Sequence, residues 1–353
     1  MVLDLHTLYE ALDVAEEEGP VRLMAAARRE HYTLPYLVLS VLRAEGLPMG
    51  PAAAGQLRRA MDRDAFYRAL LTETSAQAEV TPIKGVHLAR HYPEGVLRPQ
   101  GDLDLVTSTE LDLWRAVRVL AGRPPRDIAV SVFGAAERHL MVALSWDSEE
   151  PLVDPHLRVD ISTAALTGDF EVVPVRPALP GDPDLASLLC VAEERLQRPF
   201  HVRDALDVHA LAQAELSVDD IVQAAGDYHL APEVGELMEY AGDRVPLGGL
   251  SGLGDALTGP ARRELDLRHE RRAAATEAGG TLTALETGAL LLGMPLGVRA
   301  RSAELECSRV DVVGDEALLL TPVGDYLLVA EPLVDPGRYQ AAVAAWESLD
   351  GPR

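Results

Sequence analysis

The amino-acid sequence predicts an α+β protein, in which a small mixed sheet is flanked by helical segments and followed by a β-rich module. Three patterns predict this class. Apolar residues recur at helical spacings up to Ala78, short strand-like runs follow from Val80 to Ile161, and similar runs return between Val298 and Pro336. The chain has 353 residues, 48% of them hydrophobic, which suffices for two or three domains with buried cores. We predict a helical segment, an α/β core, a second helical segment and a β-rich module, at residues 1–78, 79–178, 179–290 and 291–353.

The first segment is predicted to be helical from about Leu5 to Ala78, because its apolar residues recur three and four positions apart. The stretch Gly46–Pro51 is rich in glycine and proline and is typical of a loop. We expect this loop to separate the second helix of the segment from the third.

The core begins with a short strand after Val80, which is expected to end at Lys84-Gly85 and to be followed by a brief helix. A second strand is predicted at Asp102–Val106, and an amphipathic helix stops before Gly122. Two further strands, Leu140–Leu144 and His156–Ile161, are expected to pair across a polar turn.

The rest of the chain alternates between helical and strand-like patterns. Helices are predicted from Asp184, a suitable N-cap residue, to about Tyr240. The Gly-rich stretch Leu247–Pro260 is interpreted as a loop and the charged stretch Ala261–Glu277 as a helix. Strands separated by Gly-Asp turns and a closing helix from about Gly337 to Leu349 complete the prediction.

Composition excludes several classes of protein. A formal net charge of −24 disfavours duplex nucleic acid as a partner, because such binding needs clustered basic residues, but a single nucleotide can be neutralised locally. No apolar run reaches the roughly twenty residues of a membrane span, and the N-terminus lacks a signal-peptide pattern, so we expect a cytoplasmic protein. Two distant cysteines give neither a disulfide framework nor a zinc pattern.

Lys84 is the only lysine of the chain, whereas arginine occurs 31 times. Lysine carries a compact charge on a slim stem, and arginine carries a broad planar fork, so the two are not interchangeable beside a phosphate. The retention of one lysine predicts that a compact ammonium group is needed at this position. Gly85 follows, and the backbone of a strand-to-helix turn with glycine can approach a phosphate closely.

Asp102 and Asp104 lie two residues apart, so on a strand their side chains project from one face, roughly 7 Å apart at the backbone. Asp160, on a later strand, can add a third carboxylate. Ionised carboxylates held together repel one another unless a cation neutralises them, and oxygen ligands favour Mg²⁺ or Mn²⁺ over zinc. Arg98 is either a further phosphate ligand or part of an ion pair.

Four residues of the following helical segment have a plainer interpretation. Arg203 and Asp207 are four residues apart and are expected to form an ordinary helical ion pair. His201 and His209 lack a third ligand in the sequence pattern and are interpreted as structural.

The stretches Ile83–Ala89, Tyr92-Pro93 and Leu97–Val106 resemble an uncharacterised bacterial nucleotidyltransferase family of the DNA polymerase β-like nucleotidyltransferase superfamily. The resemblance covers about Val80 to Ile161, and more loosely the chain to about Ala212. It implies a nucleotidyltransferase core in which Asp102, Asp104 and Asp160 hold metal ions and the Lys84-Gly85 turn faces the phosphates of a nucleotide.

The activity that this resemblance implies is transfer of a nucleoside monophosphate from a nucleoside triphosphate, such as ATP, to an unidentified small molecule, peptide or protein. Mg²⁺ or Mn²⁺ would be the metal and pyrophosphate the product. Two alternatives remain open at this point. One is an inactive binding protein of the same fold, because Val86 stands where the superfamily usually has serine, and the other is a toxin-like enzyme that modifies tRNA.

Overall fold

The computed structural model describes residues 3–274 and 280–349, and the elements of this part of the chain alternate as the sequence predicts. The helices are α1 Leu5–Ala11, α2 Gly19–Glu30, α3 Leu34–Ala44, α4 Pro51–Ser75, α5 Gly85–Leu88, α6 Glu110–Ala121, α7 Pro183–Glu193, α8 Val202–Leu211, α9 Val218–Asp227, α10 Ala231–Gly242, α11 Leu253–Ala274, α12 Gly280–Thr287, α13 Ala300–Ala303 and α14 Pro336–Ser348. The strands are β1 Thr81–Ile83, β2 Leu103–Val106, β3 Asp127–Phe133, β4 His139–Trp146, β5 Leu157–Ser162, β6 Leu291–Gly297, β7 Arg309–Val313, β8 Glu316–Thr321 and β9 Gly324–Val329. Helices and a mixed sheet together confirm the α+β class.

The chain forms two compact units that alternate along the sequence. The first unit takes the described residues within 1–69, 82–104 and 172–274, and the second takes those within 70–81, 105–171 and 275–353. The division into four segments stays a prediction. None of the described helices combines the length and hydrophobicity that crossing a bilayer would need.

The first unit is mainly helical and carries the candidate site. Its core contains the fully buried side chains of Leu188 in α7, Leu206 in α8, Leu237 in α10 and Leu257 in α11. Helix α10 packs against α7, α8 and α11, which accounts for the apolar faces of these helices.

The second unit contains most of the sheet. The strands are ordered β1-β2-β5-β4-β3-β6-β9-β8-β7; seven of them lie wholly in this unit, and β1 and β2 each pass from one unit into the other. Strands β4 and β5 are antiparallel, with Val142 opposite Ile161, which confirms the predicted pairing. Helix α14 packs on β8 and contributes Ala342 to a core cluster with Leu318, Leu320, Leu327 and Val329.

Some boundaries differ from the prediction. The first 78 residues hold four helices rather than three, so that the Gly46–Pro51 break lies between α3 and α4. Strands β3 and β6 were not predicted. Helix α11 begins at Leu253 and includes Pro260 as its eighth residue, in a stretch predicted as a loop; a proline there removes a backbone hydrogen bond, which is why the sequence pattern favoured a loop. The end of the predicted helix Ala261–Glu277 lies outside the described residues.

The N-cap of α7 is Asp182 rather than Asp184. The Asp182 carboxylate accepts hydrogen bonds from the backbone N–H groups of Asp184 and Leu185, at 2.8 and 3.0 Å. Proline at the first helical position, Pro183, fits this earlier start because it needs no hydrogen bond there. Asp184 therefore has its side chain available for other contacts.

A buried ion pair anchors the loop that leads to β2. Arg98 donates through Nε and Nη2 to the two carboxylate oxygens of Asp207 in α8, both at 2.7 Å, and Tyr92 Oη donates to the same carboxylate at 2.7 Å. The Arg98 and Asp207 side chains are only 5% and 1% exposed. The predicted pairing of Asp207 with Arg203 is therefore wrong, since Asp207 is taken by Arg98 and Tyr92.

We expect Asp207→Asn to lower the stability of the chain by about 3–5 kcal/mol, because the charge of Arg98 would remain buried without its counter-ion. Urea denaturation followed by circular dichroism measures this loss. Asp243→Asn, at an exposed position after α10, is the matched control and should leave the midpoint nearly unchanged. Equal midpoints for the two variants would show that the pair is not needed for stability.

Candidate active site

The first unit contains a polar cavity at the Lys84-Gly85 turn. Its charged lining consists of four cationic and three carboxylate side chains, namely Lys84, Arg98, Arg198, Arg203, Asp102, Asp104 and Glu194. This gives the cavity a formal excess of one positive charge, although the whole chain carries a net charge of −24. Such a lining can supply cationic groups to an anionic ligand, although Asp207 and Asp204, which do not line the cavity, neutralise Arg98 and Arg198.

Lys84 adopts an unusual backbone conformation, with φ 56° and ψ −97°. Only a few per cent of residues other than glycine have a positive φ, and such conformations cost about 1–3 kcal/mol each. The Lys84 carbonyl oxygen accepts a hydrogen bond from Leu88 N–H at 2.8 Å, which holds this residue at the start of α5. Strain of this kind is characteristic of functional sites, where neighbouring structure imposes it.

The Lys84 ammonium lies between two carboxylates. It donates a hydrogen bond to Glu194 Oε1, and its Nζ is 4.0 Å from Asp104 Oδ2. Burial lowers the pKa of Lys84, but the charges of Glu194 and Asp104 outweigh that effect and hold the pKa above its ordinary value. Lys84 is therefore a permanent cation in this cavity.

Glu194 was not identified from the sequence, although it contacts two cationic side chains. It lies directly after α7 and is 3.2 Å from Arg198 Nε, in addition to its contact with Lys84. Burial would raise the pKa of Glu194, but Lys84, Arg198 and Arg203 outweigh it and lower the pKa to about 2. The spacing of four between Glu194 and Arg198 is visible in the sequence, but no local spacing indicates the contact with Lys84, which is 110 residues away along the chain.

Gly85 is closely packed against Gln100. A Cβ atom at position 85 would lie 2.6 Å from Gln100 Oε1, so any side chain there would have to displace Gln100. Gln100 is 5% exposed and its Nε2 donates to Asp64 Oδ1 at 2.9 Å, while its Oε1 has no hydrogen-bond partner among the described residues. The cavity therefore presents an unsatisfied acceptor beside the turn.

Three arginines line the cavity but differ in their partners. Arg98 is held by Asp207, and Arg198 binds both carboxylate oxygens of Asp204, at 2.7 and 3.0 Å. Arg203 differs from these two, since its buried Nε has no hydrogen-bond partner in the described part of the chain. Arg203 is thus the arginine that is best placed to receive a ligand.

The predicted acidic residues fall in both units. Asp102 and Asp104 line the cavity of the first unit, and the backbone before them is fixed by Tyr67 Oη, which donates to the Gly101 carbonyl at 2.8 Å. Asp160 lies on β5 in the second unit, where Arg158 Nε donates to both of its carboxylate oxygens at 2.9 Å. The first unit therefore brings together Lys84, Gly85, Arg98, Asp102 and Asp104, which are five of the six residues selected from the sequence.

No protein-family model matches the chain, and no curated protein matches it significantly. Two solved structures from Helicobacter pylori show similarity. One carries a provisional assignment as a nucleotidyltransferase; it is 14% identical, with 62% of this chain and 98% of that chain covered, at a TM-score of 0.31. The other, JHP933, is 16% identical, with 61% and 97% covered, at a TM-score of 0.32. TM-scores this low do not establish a common fold.

His31 also lines the cavity, and we expect it to make the stability of the folded chain depend on pH. Burial, followed by the charges of Arg203, His201 and Arg198, lowers its pKa to about 3, although Glu194 acts in the opposite direction. The Thr33 backbone N–H donates to His31 Nδ1 at 3.3 Å, which is consistent with a neutral ring. Below the ordinary histidine pKa of 6.5 the unfolded chain binds a proton that the folded chain does not.

We therefore expect the stability contribution of His31 to be lost progressively as the pH falls from 6.5 towards 3. His31→Gln should make stability less dependent on pH between 6.5 and 4.5, a window above the range in which Glu194 titrates. Urea midpoints at several pH values measure this dependence, with His156→Gln as the control at an exposed histidine. An unchanged dependence in His31→Gln would contradict the prediction.

Proposed function

We propose that the chain is a metal-dependent nucleotidyltransferase that moves a nucleoside monophosphate from a nucleoside triphosphate to an acceptor. The observation that carries this proposal is the position of the Lys84 ammonium, 4.0 Å from Asp104, in a polar cavity that Arg203 also lines. At this position Lys84 could bind an anionic ligand while the neighbouring Asp104 carboxylate binds a metal ion. The strained backbone of Lys84 adds support, because conformations of this kind are concentrated at functional sites.

The metal would be held by Asp102, Asp104 and Asp160. Asp102 and Asp104 line the cavity beside Lys84, and Asp160 is the third carboxylate that the resemblance of the sequence implies. A set of carboxylate oxygens without nitrogen or sulfur donors fits a hard divalent cation such as Mg²⁺ or Mn²⁺. When bound, such cations would neutralise charge on the phosphates and on the attacking and departing oxygens.

The residues of the chain would bind and orient the triphosphate. Lys84 supplies a compact charge, and Arg203 supplies N–H donors whose partner would be a phosphate oxygen. Arg98 was also predicted to bind the nucleotide and lines the same cavity, but its guanidinium is already bidentate to Asp207. We therefore assign the larger share of phosphate binding to Arg203.

In the reaction, an oxygen of the acceptor forms a bond to the α-phosphorus while the bond from that phosphorus to the departing pyrophosphate breaks. The acceptor loses a proton, for which the Asp160 carboxylate is the proposed base. Holding both reactants in line supplies much of the rate enhancement, because the reacting atoms no longer have to find one another in solution. The acceptor can be a small molecule, a peptide or a protein.

An assay with each nucleoside triphosphate labelled at the α-phosphate tests the activity. The chain, Mg²⁺ and a fractionated cell extract as the source of acceptor should together release pyrophosphate and transfer label to the acceptor. Saturable binding of the nucleotide without pyrophosphate release would instead support the inactive binding protein. Label found in tRNA would support the tRNA-modifying alternative.

Asp104→Asn should abolish pyrophosphate release while leaving the fold intact, because an amide is a much weaker ligand for a hard cation than a carboxylate. Pyrophosphate release and circular dichroism are measured together. Asp127→Asn, at an exposed position on β3, serves as the matched control and should retain activity. Near-normal turnover in Asp104→Asn would refute the assignment of this residue to the metal.

Arg203→Gln should weaken nucleotide binding by roughly ten- to hundredfold, since a charge-assisted hydrogen bond contributes about 1.5–3 kcal/mol. The stability of the Arg203→Gln variant should change little, because the buried Nε of Arg203 has no hydrogen-bond partner among the residues that the structure describes. Fluorescence titration with a labelled nucleotide gives the Kd, and urea denaturation gives the stability. Arg195→Gln, at a more exposed arginine after α7, is the control. A stability loss with unchanged Kd would show that Arg203 is structural.

A further inference from the structure

Two histidines and an aspartate of the first unit converge at a place that the proposed reaction does not use. His87 lies in α5, His91 lies in the one-turn 3-10 helix that follows, and Asp184 lies in the first turn of α7. The Nε2 atoms of both histidines are 2.7 Å from Asp184 Oδ1. The three side chains are only 14%, 16% and 21% exposed.

Hydrogen bonds alone cannot satisfy both polar neighbours of the His87 ring nitrogen Nε2. Arg90 Nη2 contacts His87 Nε2 and lies 3.2 Å from Asp184 Oδ1. A guanidinium group only donates, so a hydrogen bond from Arg90 requires His87 Nε2 to carry a lone pair. That lone pair then faces the ionised Asp184 oxygen, which is also an acceptor. If His87 Nε2 carries a proton instead, it faces the donor of Arg90. No single protonation state of His87 suits both neighbours.

We propose that His87, His91 and Asp184 form a binding site for a divalent transition-metal ion, foremost Zn²⁺. The two imidazole nitrogens and the carboxylate oxygen all lie within 4.8 Å of one another. Ligands of a tetrahedral zinc ion at 2.0–2.2 Å are roughly 3.4 Å apart, so small shifts of the side chains would admit the ion. The ion would take up the lone pairs that otherwise face each other.

The donor set separates this site from the acidic one. Nitrogen ligands favour zinc and related transition ions, whereas Mg²⁺ prefers oxygen ligands alone. Three protein ligands leave a fourth position for water. Arg90 is the unfavourable neighbour, because its positive charge opposes that of the ion, but its side chain is 52% exposed and can move into solvent.

The site would join the two elements that position Lys84 and Glu194. Helix α5 begins directly after Lys84, and Glu194 directly follows α7, the helix that carries Asp184. An ion bound to both helices would cross-link them and restrain the Lys84-Gly85 turn. This role is structural, and it does not depend on whether the chain transfers nucleotides.

Isothermal titration of the untagged, chelator-treated chain with Zn²⁺ alone tests the proposal. We expect one ion per chain. Changes to residues that support the ligands typically weaken metal binding by roughly tenfold to hundredfold, and we expect larger losses for His91→Gln and Asp184→Asn, which remove ligands. His156→Gln, at an exposed histidine of the second unit, should bind as the unmodified chain does. Circular dichroism of each variant verifies that it is folded.

Two further variants separate the proposal from its rivals. Arg90→Ala should bind Zn²⁺ more tightly, because a competing cation is removed, and a purely hydrogen-bonded cluster gives no such gain. Asp104→Asn should leave Zn²⁺ binding unchanged. Absence of binding, equal affinity in the unmodified chain and both ligand variants, or a loss confined to Asp104→Asn would each overturn the proposal.

Discussion

The buried ion pair between Arg98 and Asp207 is the constraint on which the site depends. It joins the loop before β2 to α8, and both side chains are almost fully excluded from solvent. Because a buried charge without its counter-ion is costly, the loop cannot leave α8 without losing several kcal/mol, about 3–5 by comparison with other buried pairs. The same pair decides which arginine remains for a ligand. Asp207 is occupied by Arg98 and Tyr92, and the Nε of Arg203 has no hydrogen-bond partner within residues 3–274 and 280–349.

The second feature is the way in which charge is distributed around the cavity. The chain as a whole is strongly acidic, yet the cavity lining carries more cationic than carboxylate groups. Arg98 and Arg198 are bound to Asp207 and Asp204, so these two arginines serve the architecture first. Lys84 is also paired, with Glu194, but in addition its backbone has an unfavourable positive φ of 56°. Lys84 and Arg203 are therefore the cationic groups that we expect a bound anion to contact, whereas the remaining surface repels polyanions.

The proposed zinc site and the proposed magnesium site illustrate how donor chemistry separates two cations in one chain. The acidic residues Asp102, Asp104 and Asp160 offer oxygen only, whereas His87, His91 and Asp184 offer two nitrogens and one oxygen. Hard cations favour the first set and borderline transition ions favour the second. Asp184 can contact His87 and His91 because Asp182, and not Asp184, is the N-cap of α7. The carboxylate of a capping aspartate accepts hydrogen bonds from backbone N–H groups, and in α7 these bonds go to Asp182, not to Asp184.

Local sequence patterns determined the class of the fold, the β4–β5 pairing and the position of the Lys84-Gly85 turn, because periodicity and turn residues act over a few positions along the chain. They also selected Asp102 and Asp104 from an alternating spacing that needs no long-range information; in the structure Asp104 lies in β2 and Asp102 directly precedes it. Strands β3 and β6 and the contact of Glu194 with Lys84 were decided only by the tertiary structure. So was the choice of Arg98 over Arg203 as the partner of Asp207. The spacing of four between Arg203 and Asp207 permits a weak helical ion pair. Asp207 instead forms the stronger bidentate pair with Arg98, which is buried beside it although it lies 109 positions away along the chain. Sequence spacing cannot show which of these two pairs forms.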